Sequence, residues 1–354
     1  MSAGTPSTVP AEPPGLAVTA LAGGVGGARF LRGLLAALRT SEDPARQRAR
    51  VTVIGNTADD ITLHGLRISP DLDSVMYTLG GGIDEVRGWG RSAETSGVAD
   101  ELAAYGRTPD WFTLGDKDIA THVVRTQLLA EGATLSEATR VLCERWRPGV
   151  DLLPMTDDPV QTHVDLAPVA ASDRPADAGE AGDRRVHFQE WWVRLHAAVP
   201  ARAIVPVGAA DARPAPGVLA AVRDADVVVL PPSNPVVSIG TILAVPGIRE
   251  ALRTTAAPVV GVSPVIGGSP VRGMADACLA SIGVPTTAGA VAGLYADFLD
   301  GWLVAPEDVG GVEARPGLTV RGRPLLMSSP AATRALGAAT LDLALELRAP
   351  EAAA

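Results

Sequence analysis

The sequence predicts an α/β protein with a mainly parallel β-sheet and a smaller, mainly helical insertion. Short apolar runs typical of buried strands alternate with helical periodicity, near the start of the chain and again over its last third. Such alternation favours parallel strands joined by right-handed crossovers. Five of the six tryptophans lie between residues 83 and 199, which marks a change of composition. A chain of 354 residues can accommodate one large α/β unit with an insertion.

We therefore divide the chain by composition. Residues 16–82 and 200–350 are expected to form the α/β core, and residues 83–199 the inserted smaller domain. A tail at residues 1–15 and a loop at residues 167–185 are rich in Ala and Pro, and we expect both to be flexible. The tail lacks the features of a signal peptide, and no later segment reaches about 18 uninterrupted apolar residues. We expect a cytoplasmic protein.

Charge and cysteine content narrow the class of partner. The formal net charge of −10 argues against nucleic acid or an anionic membrane as a partner, which leaves a small molecule. Cys143 and Cys278 are too few and too far apart for a disulfide framework or a zinc site. We expect none of the histidines to pair with an acid four residues away, so zinc is not predicted. The histidines are His64, His122, His163, His187 and His196.

The start of the core resembles a site for an anion. Leu16–Ala22 is predicted as a strand, Gly23–Gly27 as a tight loop, and Arg29–Leu38 as a helix. Backbone N–H groups of a glycine loop that leads into a helix can approach a phosphate closely. Arg29 replaces the third glycine of the dinucleotide fingerprint, and the Gly-Lys-Ser/Thr ending of a P-loop is absent. The alternative is a glycine turn that serves only strand–helix packing.

An aspartate-rich elbow follows the second predicted strand. The segment 56–60, Asn-Thr-Ala-Asp-Asp, ends that strand, and Ser69 is placed to cap a helix that begins at Pro70. Two acids in the first turn of this helix flank its apolar stripe on opposite sides, so a single ligand is expected to meet one of them. Each acid alone could serve the helix dipole, but four together favour a metal or hydroxyl site. The acids are Asp59, Asp60, Asp71 and Asp73.

Three further strands, and the loops after two of them, extend the predicted site. Ala203–Val207, Asp226–Leu230 and Pro258–Val262 are apolar runs of the buried-strand kind. The polar loops Pro231–Pro235 and Ser263–Pro270 follow the last two. In open α/β sheets, ligands bind beyond the carboxyl ends of the strands. We therefore expect these loops and the aspartate elbow to converge on one cleft.

The predicted insertion contains helices and polar loops. Lys117–Ala130 and Leu135–Trp146 have helical periodicity, and Thr134 with Glu137 forms a capping box before the second helix. The Gly-Trp-Gly-Arg segment that contains Trp89 is typical of a ligand-positioning loop. Tryptophans usually pack in a core or at its edge, but they can also provide a flat wall for a planar ring.

In chain order, these motifs resemble the 2-phospho-L-lactate transferase family of deazaflavin coenzyme F(420) biosynthesis, over nearly the whole chain from Ala17. The matching segments are AGGVGGARFLRGL, NTADD, ISPDLDSVMY, LGDKDIATH, LLPMTDDPV, HFQEWW, PSNPVVSIG and SPVIGG. The resemblance implies a Rossmann-like, doubly wound core with an inserted smaller domain. It also implies an Mg²⁺-dependent enzyme that is commonly a homodimer.

The resemblance further implies a reaction. Family members join the ribityl hydroxyl of the deazaflavin Fo to the phosphate of a guanylyl-linked three-carbon acid and release GMP. The donor is enolpyruvyl-diphospho-guanosine, which gives dehydro-F(420)-0, or lactyl-diphospho-guanosine, which gives F(420)-0. The HFQEWW segment and the Ala/Arg-rich composition favour the enolpyruvyl donor, which is associated with actinobacterial members.

Site residues follow from the matching motifs. Asp73 matches a family contact to Fo, and so does Thr113, where some members carry lysine. Trp89 is our candidate for a wall beside the deazaflavin ring. Asp60 and Asp73 are the candidates for catalysis and for Mg²⁺, with Asp59 and Asp71 as second choices. Candidates for the guanylyl and phosphate groups are Gly23, Gly24, Gly26, Gly27, Asn234, Ser263, Gly267 and Gly268.

Two other classes of protein share part of this pattern. Related regulators of carbon metabolism and cell-wall control have a similar glycine start and Asn-Thr-Ala-Asp-Asp elbow, and they bind nucleotide sugars without turnover. The PDLD helix, LPMTDDP and HFQEWW segments favour the transferase. A nicotinamide-dependent oxidoreductase is disfavoured because the dinucleotide fingerprint fails at Arg29.

Overall fold

The computed structural model describes residues 15–168 and 184–348. The tail predicted at residues 1–15 and the loop predicted at residues 167–185 lie almost wholly outside the described residues. The strands are β1 (Ala17–Ala22), β2 (Arg50–Gly55), β3 (Ile61–Leu63), β4 (Leu66–Ile68), β5 (Asp151–Pro154), β6 (Gln161–Leu166), β7 (Arg185–His187), β8 (Ala201–Val207), β9 (Val227–Leu230), β10 (Val259–Val262), β11 (Val265–Ile266), β12 (Ser269–Pro270), β13 (Gly301–Val304) and β14 (Thr319–Gly322).

In the described residues, α-helices alternate with the strands of the core. They are α1 (Gly24–Arg39), α2 (Pro44–Gln47), α3 (Pro70–Leu79), α4 (Gly97–Ala104), α5 (Asp116–Ala130), α6 (Leu135–Trp146), α7 (Val218–Arg223), α8 (Ile239–Ala244), α9 (Ile248–Thr254), α10 (Ala275–Ser281), α11 (Ala288–Gly293) and α12 (Pro330–Leu347). Within the part of the chain that the structure describes, no helix is long and apolar enough to cross a membrane.

A seven-stranded parallel sheet forms the centre of the molecule and confirms the predicted α/β class. Its strand order is β14-β13-β10-β9-β1-β2-β5. From β1 the chain builds outward through β2 to β5, then returns to the other side of β1 and builds outward again through β9. This doubly wound order places a topological switch point beside β1, where ligands of open α/β sheets bind.

Helices cover both faces of the sheet, so its central strands β9 and β10 are apolar and fully buried. Val227 and Val229 of β9 pack into a core with α1, α3 and α12, whereas Val228 and Leu230 pack into a second core with α7, α8 and α9. Burial on both faces explains why these strands are continuous apolar runs without polar alternation.

The region predicted as an insertion contributes to more than one sheet. Its helices α5 and α6 were expected, α4 was not, and Thr134 forms the predicted capping box with Glu137. Directly afterwards, β5 joins the main sheet beside β2, so part of residues 83–199 belongs to the central sheet. Trp146 at the end of α6 packs against Tyr77 of α3, with ring centroids 4.8 Å apart.

Two expectations about local structure are wrong. Ala203–Val207 was predicted to lie in the parallel sheet, but it belongs to β8, the edge strand of an antiparallel sheet of order β7-β6-β8. As an edge strand it is half-buried, which an apolar run alone does not reveal. The loop predicted at Gly23–Gly27 is also shorter than expected, because α1 already begins at Gly24.

Candidate active site

The predicted loops meet at the carboxyl edge of the main sheet. Four adjacent strands, β10, β9, β1 and β2, end at this edge. They are followed by Ser263, Pro231, Gly23 and Asn56, respectively. Because β9 and β2 flank β1, the glycine start, the Pro231–Pro235 loop and the aspartate elbow lie together at the switch point. The predicted approach of the glycine start, the Pro231–Pro235 loop and the aspartate elbow is confirmed, and the Ser263–Pro270 loop begins at the same edge of the sheet.

The glycines at the start of α1 allow three segments to approach one another. The Ser233 hydroxyl donates to the Gly23 carbonyl at 2.8 Å and accepts from the Gly23 N–H at 3.2 Å. A Cβ atom on Gly23 would lie 2.5 Å from a carboxylate oxygen of Asp71, and one on Gly26 would lie 2.9 Å from the backbone of the Pro231–Pro235 loop. Side chains at these positions would separate α1 from the elbow and from that loop.

A buried amide organises the elbow. Asn56 Nδ2 donates to Asp71 Oδ2 at 2.9 Å and to the Val237 carbonyl at 3.1 Å. Its Oδ1 accepts from the Ala58 N–H at 3.0 Å and from the Thr241 hydroxyl at 2.8 Å. The side chain is fully buried and makes four hydrogen bonds. Sequence analysis placed Asn56 in the turn but gave it no role, because two of its partners lie far away in the chain.

Asp59 and Asp71 form a pair of buried carboxyl groups. Burial raises the pKa of Asp71 to about 6, against the lowering effect of hydrogen bonds from Asn56 and the Gly24 backbone. Burial, together with the nearby charge of Asp71, raises the pKa of Asp59 well above its ordinary value. Within the described ranges, Asp59 Oδ1 has no hydrogen-bond partner. Two buried acids that repel each other, one with a free oxygen, are suited to a cation.

Asp60 has one oxygen engaged. Its Oδ2 accepts a hydrogen bond from the Ser69 hydroxyl at 2.7 Å and lies 3.2 Å from the Arg67 guanidinium. Its Oδ1 has no partner among the described residues. Burial raises the pKa of Asp60 to about 7, although Arg67 and Ser69 oppose that shift. Ser69 precedes α3 as predicted, but its hydroxyl bonds Asp60 and does not cap the helix.

Asp73 lies on the other side of α3 and is paired with an arginine. Both of its carboxylate oxygens contact the guanidinium of Arg125, a side chain of α5 that is 1% exposed. Asp71 and Asp73 thus meet different side chains, in keeping with their predicted placement on opposite sides of the apolar stripe. Sequence analysis missed Arg125, since nothing local shows that α5 packs against α3.

One expectation about the histidines is wrong, and it concerns His122. We expected no histidine to pair with an acid four residues away, yet His122 Nε2 lies 3.5 Å from Asp118 Oδ2 on the same helix. Its Nδ1 lies 3.7 Å from Asp73 Oδ2. The spacing of Asp118, His122 and Arg125 places all three on one face of α5, a pattern that could have been found in the sequence.

The HFQEWW segment contacts the elbow through a histidine. His187 Nε2 lies 3.1 Å from the Asp60 carbonyl oxygen, and its Nδ1 accepts from the Gln189 N–H at 3.1 Å. Burial lowers the pKa of His187 to about 4, so the ring is neutral at pH 7 with Nε2 as the donor. The small antiparallel sheet is thereby tied to the aspartate elbow.

The elbow can be tested against the requirements of Mg²⁺. Within the described part of the chain, no three His, Cys, Asp or Glu side chains are grouped to hold a metal ion. Mg²⁺ is commonly held by one or two carboxylates plus substrate phosphates and waters. The free oxygens of Asp59 and Asp60 fit that requirement. Asp73 fits it less well, because Arg125 contacts both of its oxygens.

A pocket of about 270 Å³ lies at the surface of the insertion. It is lined by the two residues predicted to contact the deazaflavin, Trp89 and Thr113, and also by Asp118. The Trp89 indole is 49% exposed, and the Arg87 guanidinium lies 5.1 Å from its ring centroid. A half-exposed indole in a pocket provides the flat apolar wall that a planar ring requires.

The remaining predicted residues lie in the loops after β9 and β10. Asn234 Oδ1 accepts from the N–H groups of Val236 and Val237, and the Ser263 hydroxyl bonds the backbone of Val265. These side chains therefore shape their own loops. Gly267 and Gly268 form the turn between β11 and β12, where both have positive φ.

The family of the chain can now be established. The family model for 2-phospho-L-lactate transferase CofD matches residues 18–315. The chain belongs to this family. Membership in the CofD family confirms the resemblance seen in the sequence and identifies the protein as a transferase.

Close relatives of this CofD-family chain are named phosphoenolpyruvate transferase. One from Thermobifida fusca is 59% identical over 332 residues, which cover 94% of this chain and 98% of the relative. Another from Kitasatospora aureofaciens is 57% identical over 94% of this chain and 98% of the relative. One from Mycolicibacterium smegmatis is 51% identical over 92% of this chain and 98% of the relative.

Solved structures support the fold of the CofD-family chain. A Bacillus halodurans protein of the UPF0052 family superimposes with a TM-score of 0.54 and 16% identity, over 92% of this chain and 99% of that one. A second Bacillus halodurans structure gives a TM-score of 0.51 at 18% identity, over 82% of this chain and 80% of that one. At such low identity, the likeness concerns the fold alone.

Proposed function

We propose that the protein transfers the enolpyruvyl phosphate group of enolpyruvyl-diphospho-guanosine to the ribityl hydroxyl of the deazaflavin Fo. The products are GMP and dehydro-F(420)-0. Membership in the CofD family and three relatives named phosphoenolpyruvate transferase at 51–59% identity support this choice of donor. The observation that carries the proposal is the elbow at the switch point, where buried acids keep free oxygens. The corresponding lactyl donor is the alternative.

The reaction exchanges a phosphoanhydride bond for a phosphate ester bond. The acceptor hydroxyl oxygen forms a bond to the phosphorus that carries the three-carbon acid. The bond from this phosphorus to the oxygen that bridges to the guanylyl phosphate breaks, and GMP leaves with that electron pair. The hydroxyl proton passes to a base. The enzyme must therefore orient a weak nucleophile and offset charge on the phosphoryl oxygens.

Asp60 and Asp73 are the residues that we propose for catalysis. With a pKa of about 7 and a free Oδ1, Asp60 is suited to accept the hydroxyl proton near neutral pH. Asp73 is held by Arg125. The His122 ring lies between Asp73 and the pocket residue Asp118, with one ring nitrogen facing each carboxylate. That position suits a contact to the acceptor.

We propose that Asp59 and Asp71 provide protein oxygens for Mg²⁺, with substrate phosphates and waters as the other ligands, since Oδ1 of Asp60 accepts the proton. Sequence analysis paired Asp60 with Asp73 for this role, but the contacts of Asp73 with Arg125 and the assignment of Asp60 as the base favour Asp59 and Asp71. When bound, Mg²⁺ would offset negative charge on the phosphoryl oxygens of the donor.

The donor is proposed to lie along the carboxyl edge of β1, β9 and β10. Backbone groups at the start of α1 suit the diphosphate, since the N-terminus of a helix favours negative charge. The loops after β9 and β10 would hold the guanylyl group. The residues assigned to the donor are Gly23, Gly24, Gly26, Gly27, Asn234, Ser263, Gly267 and Gly268.

A mass-spectrometric assay tests the proposed function. The purified protein is incubated with Fo, Mg²⁺ and each guanylyl-linked three-carbon acid in turn. We expect a deazaflavin phosphodiester and GMP from the enolpyruvyl donor, with Asp60→Asn about 10²- to 10⁴-fold slower because a general base is lost. The product mass identifies the acid. If no donor reacts and a nucleotide sugar binds tightly, the proposed transfer reaction is rejected in favour of a nucleotide-sugar-binding regulatory protein.

A further inference from the structure

The pocket beside Trp89 contains two carboxyl groups, and they differ in what they do. Glu94 Oε1 accepts a hydrogen bond from the backbone N–H of Lys117, at the first turn of α5, and Oε2 is buried away from the surface without a partner among the described residues. Asp118 makes no such backbone contact among its recorded hydrogen bonds in the described chain, and its side chain is 17% exposed where it lines the pocket. The carboxylate of Asp118 is therefore the one that can be offered to a ligand.

Asp118 is held in place from behind. The Tyr77 hydroxyl, on a side chain that is 1% exposed, donates to Asp118 Oδ1 at 2.5 Å. His122 Nε2 lies 3.5 Å from Oδ2. Burial alone would raise the pKa of Asp118, but His122 and Tyr77 outweigh it and lower that pKa below its ordinary value. The group is thus an ionised, fixed hydrogen-bond acceptor at neutral pH.

An ionised carboxylate accepts hydrogen bonds and cannot donate them, and its two oxygens together have about four lone-pair positions. Tyr77 and His122 approach one oxygen each, which leaves capacity on the pocket side. The ligand groups that match are donors, above all hydroxyl groups.

We propose that Asp118 recognises the hydroxyl groups of the acceptor's sugar-alcohol chain and thereby determines acceptor specificity. The inference rests on the proposed function, because it takes the pocket with Trp89 and Thr113 as the acceptor site. In this arrangement the Trp89 indole contacts the planar ring, and Asp118 receives hydroxyls of the chain attached to it. Tyr77 and His122 are positioning residues, since they act through Asp118.

A comparison of two acceptor substrates distinguishes recognition of hydroxyl groups by Asp118 from a purely structural role. The first is Fo. The second is an analogue with the same ring, in which a 5-hydroxypentyl chain replaces the ribityl chain, so that a terminal hydroxyl remains but the others are absent. A site built to bond a substrate hydroxyl discriminates against an analogue without it. We expect the wild-type protein to prefer Fo by roughly 10- to 100-fold in kcat/KM, the range for hydrogen bonds to a charged group.

The Asp118→Asn variant is expected to lose that preference. Its kcat/KM for Fo should fall roughly 10- to 100-fold, while its kcat/KM for the analogue should stay within about threefold of wild type. Tyr77→Phe should reduce the preference in the same direction and keeps the test valid if Asp118→Asn does not fold. Asp342→Asn, a surface carboxylate paired with Arg46, should change neither value.

The outcomes distinguish this inference from the proposed function. If wild-type protein turns over Fo and Asp118→Asn loses the same factor on both acceptors, or keeps the wild-type preference, Asp118 is not the recognition group and the transferase stands. If wild-type protein turns over neither acceptor with any donor, the proposed function fails and this inference fails with it.

Discussion

The first turn of α3 presents two aspartates to opposite sides of the site, and their surroundings differ in charge. Asp71 meets the neutral Asn56 amide and a second acid, Asp59. Asp73 meets the Arg125 guanidinium. The charge of Asp73 is thus already compensated within the protein, whereas the Asp59–Asp71 side lacks a comparable cation among its recorded contacts in the described residues. Two acids two positions apart can therefore serve different ends, one anchoring the insertion and one available to a cation.

The largest expected effect comes from removing the compensating arginine. Arg125→Ala leaves Asp73 buried without its partner, so we expect the free energy of unfolding to fall by about 3–5 kcal/mol. Urea denaturation measures the loss. Arg140→Ala is the matched control, because its pair with Glu144 is exposed and should contribute at most about 0.5 kcal/mol. Equal losses in the two variants would show that the Asp73 side is not a compensated pair.

Asp60 provides a pH-dependent test. Burial holds its pKa at about 7 in the folded protein, against 3.8 for the ordinary group. The folded state therefore keeps a proton that the unfolded state has lost, and this contribution to stability disappears as the pH rises from about 4 to about 7. At about 1.4 kcal/mol per pKa unit, wild-type protein should lose roughly 4 kcal/mol relative to Asp60→Asn across that window.

Denaturation of both proteins without Mg²⁺ at pH 4.5, 6 and 8 checks the sign. The difference in unfolding free energy should move in favour of Asp60→Asn as the pH increases. A difference that is constant with pH, or that moves in favour of wild-type protein, would contradict a raised pKa for Asp60.

The smallest expected effect, stabilisation by Mg²⁺, is the most direct test of the difference between the Asp71 and Asp73 sides. If Mg²⁺ binds on the Asp71 side, it should raise the stability of wild-type protein by about 1.4 kcal/mol at ten times its dissociation constant. Thermal unfolding should show this increment in Asp73→Asn and not in Asp71→Asn. The reverse result would restore the pairing of Asp60 with Asp73 that the sequence suggested.

The sequence was informative where a feature depends on neighbours in the chain. The strands β9 and β10, the start of α3 at Pro70 and the Thr134–Glu137 capping box all follow from local patterns. The meeting of the loops at one edge also followed, because parallel strands deliver their carboxyl ends to the same side of a sheet.

Features that depend on distant partners were not available from the sequence. Arg125 becomes a site residue only because α5 packs beside α3. The strand β8 joins an antiparallel sheet because it pairs with β6. The start of α1 was misjudged for a different reason. Glycine has low helix propensity, but close packing against Ser233 and Asp71 favours glycine in this first turn.

The contact between Arg125 and Asp73 also limits how the chain can be recombined. The core contributes Asp73 and the insertion contributes Arg125, and both side chains are almost fully buried. A chimera that takes its core from one relative and its insertion from another must inherit both partners. Otherwise it places a solitary charge inside the protein. The two parts are therefore one unit for protein engineering, although the sequence marks them as separate.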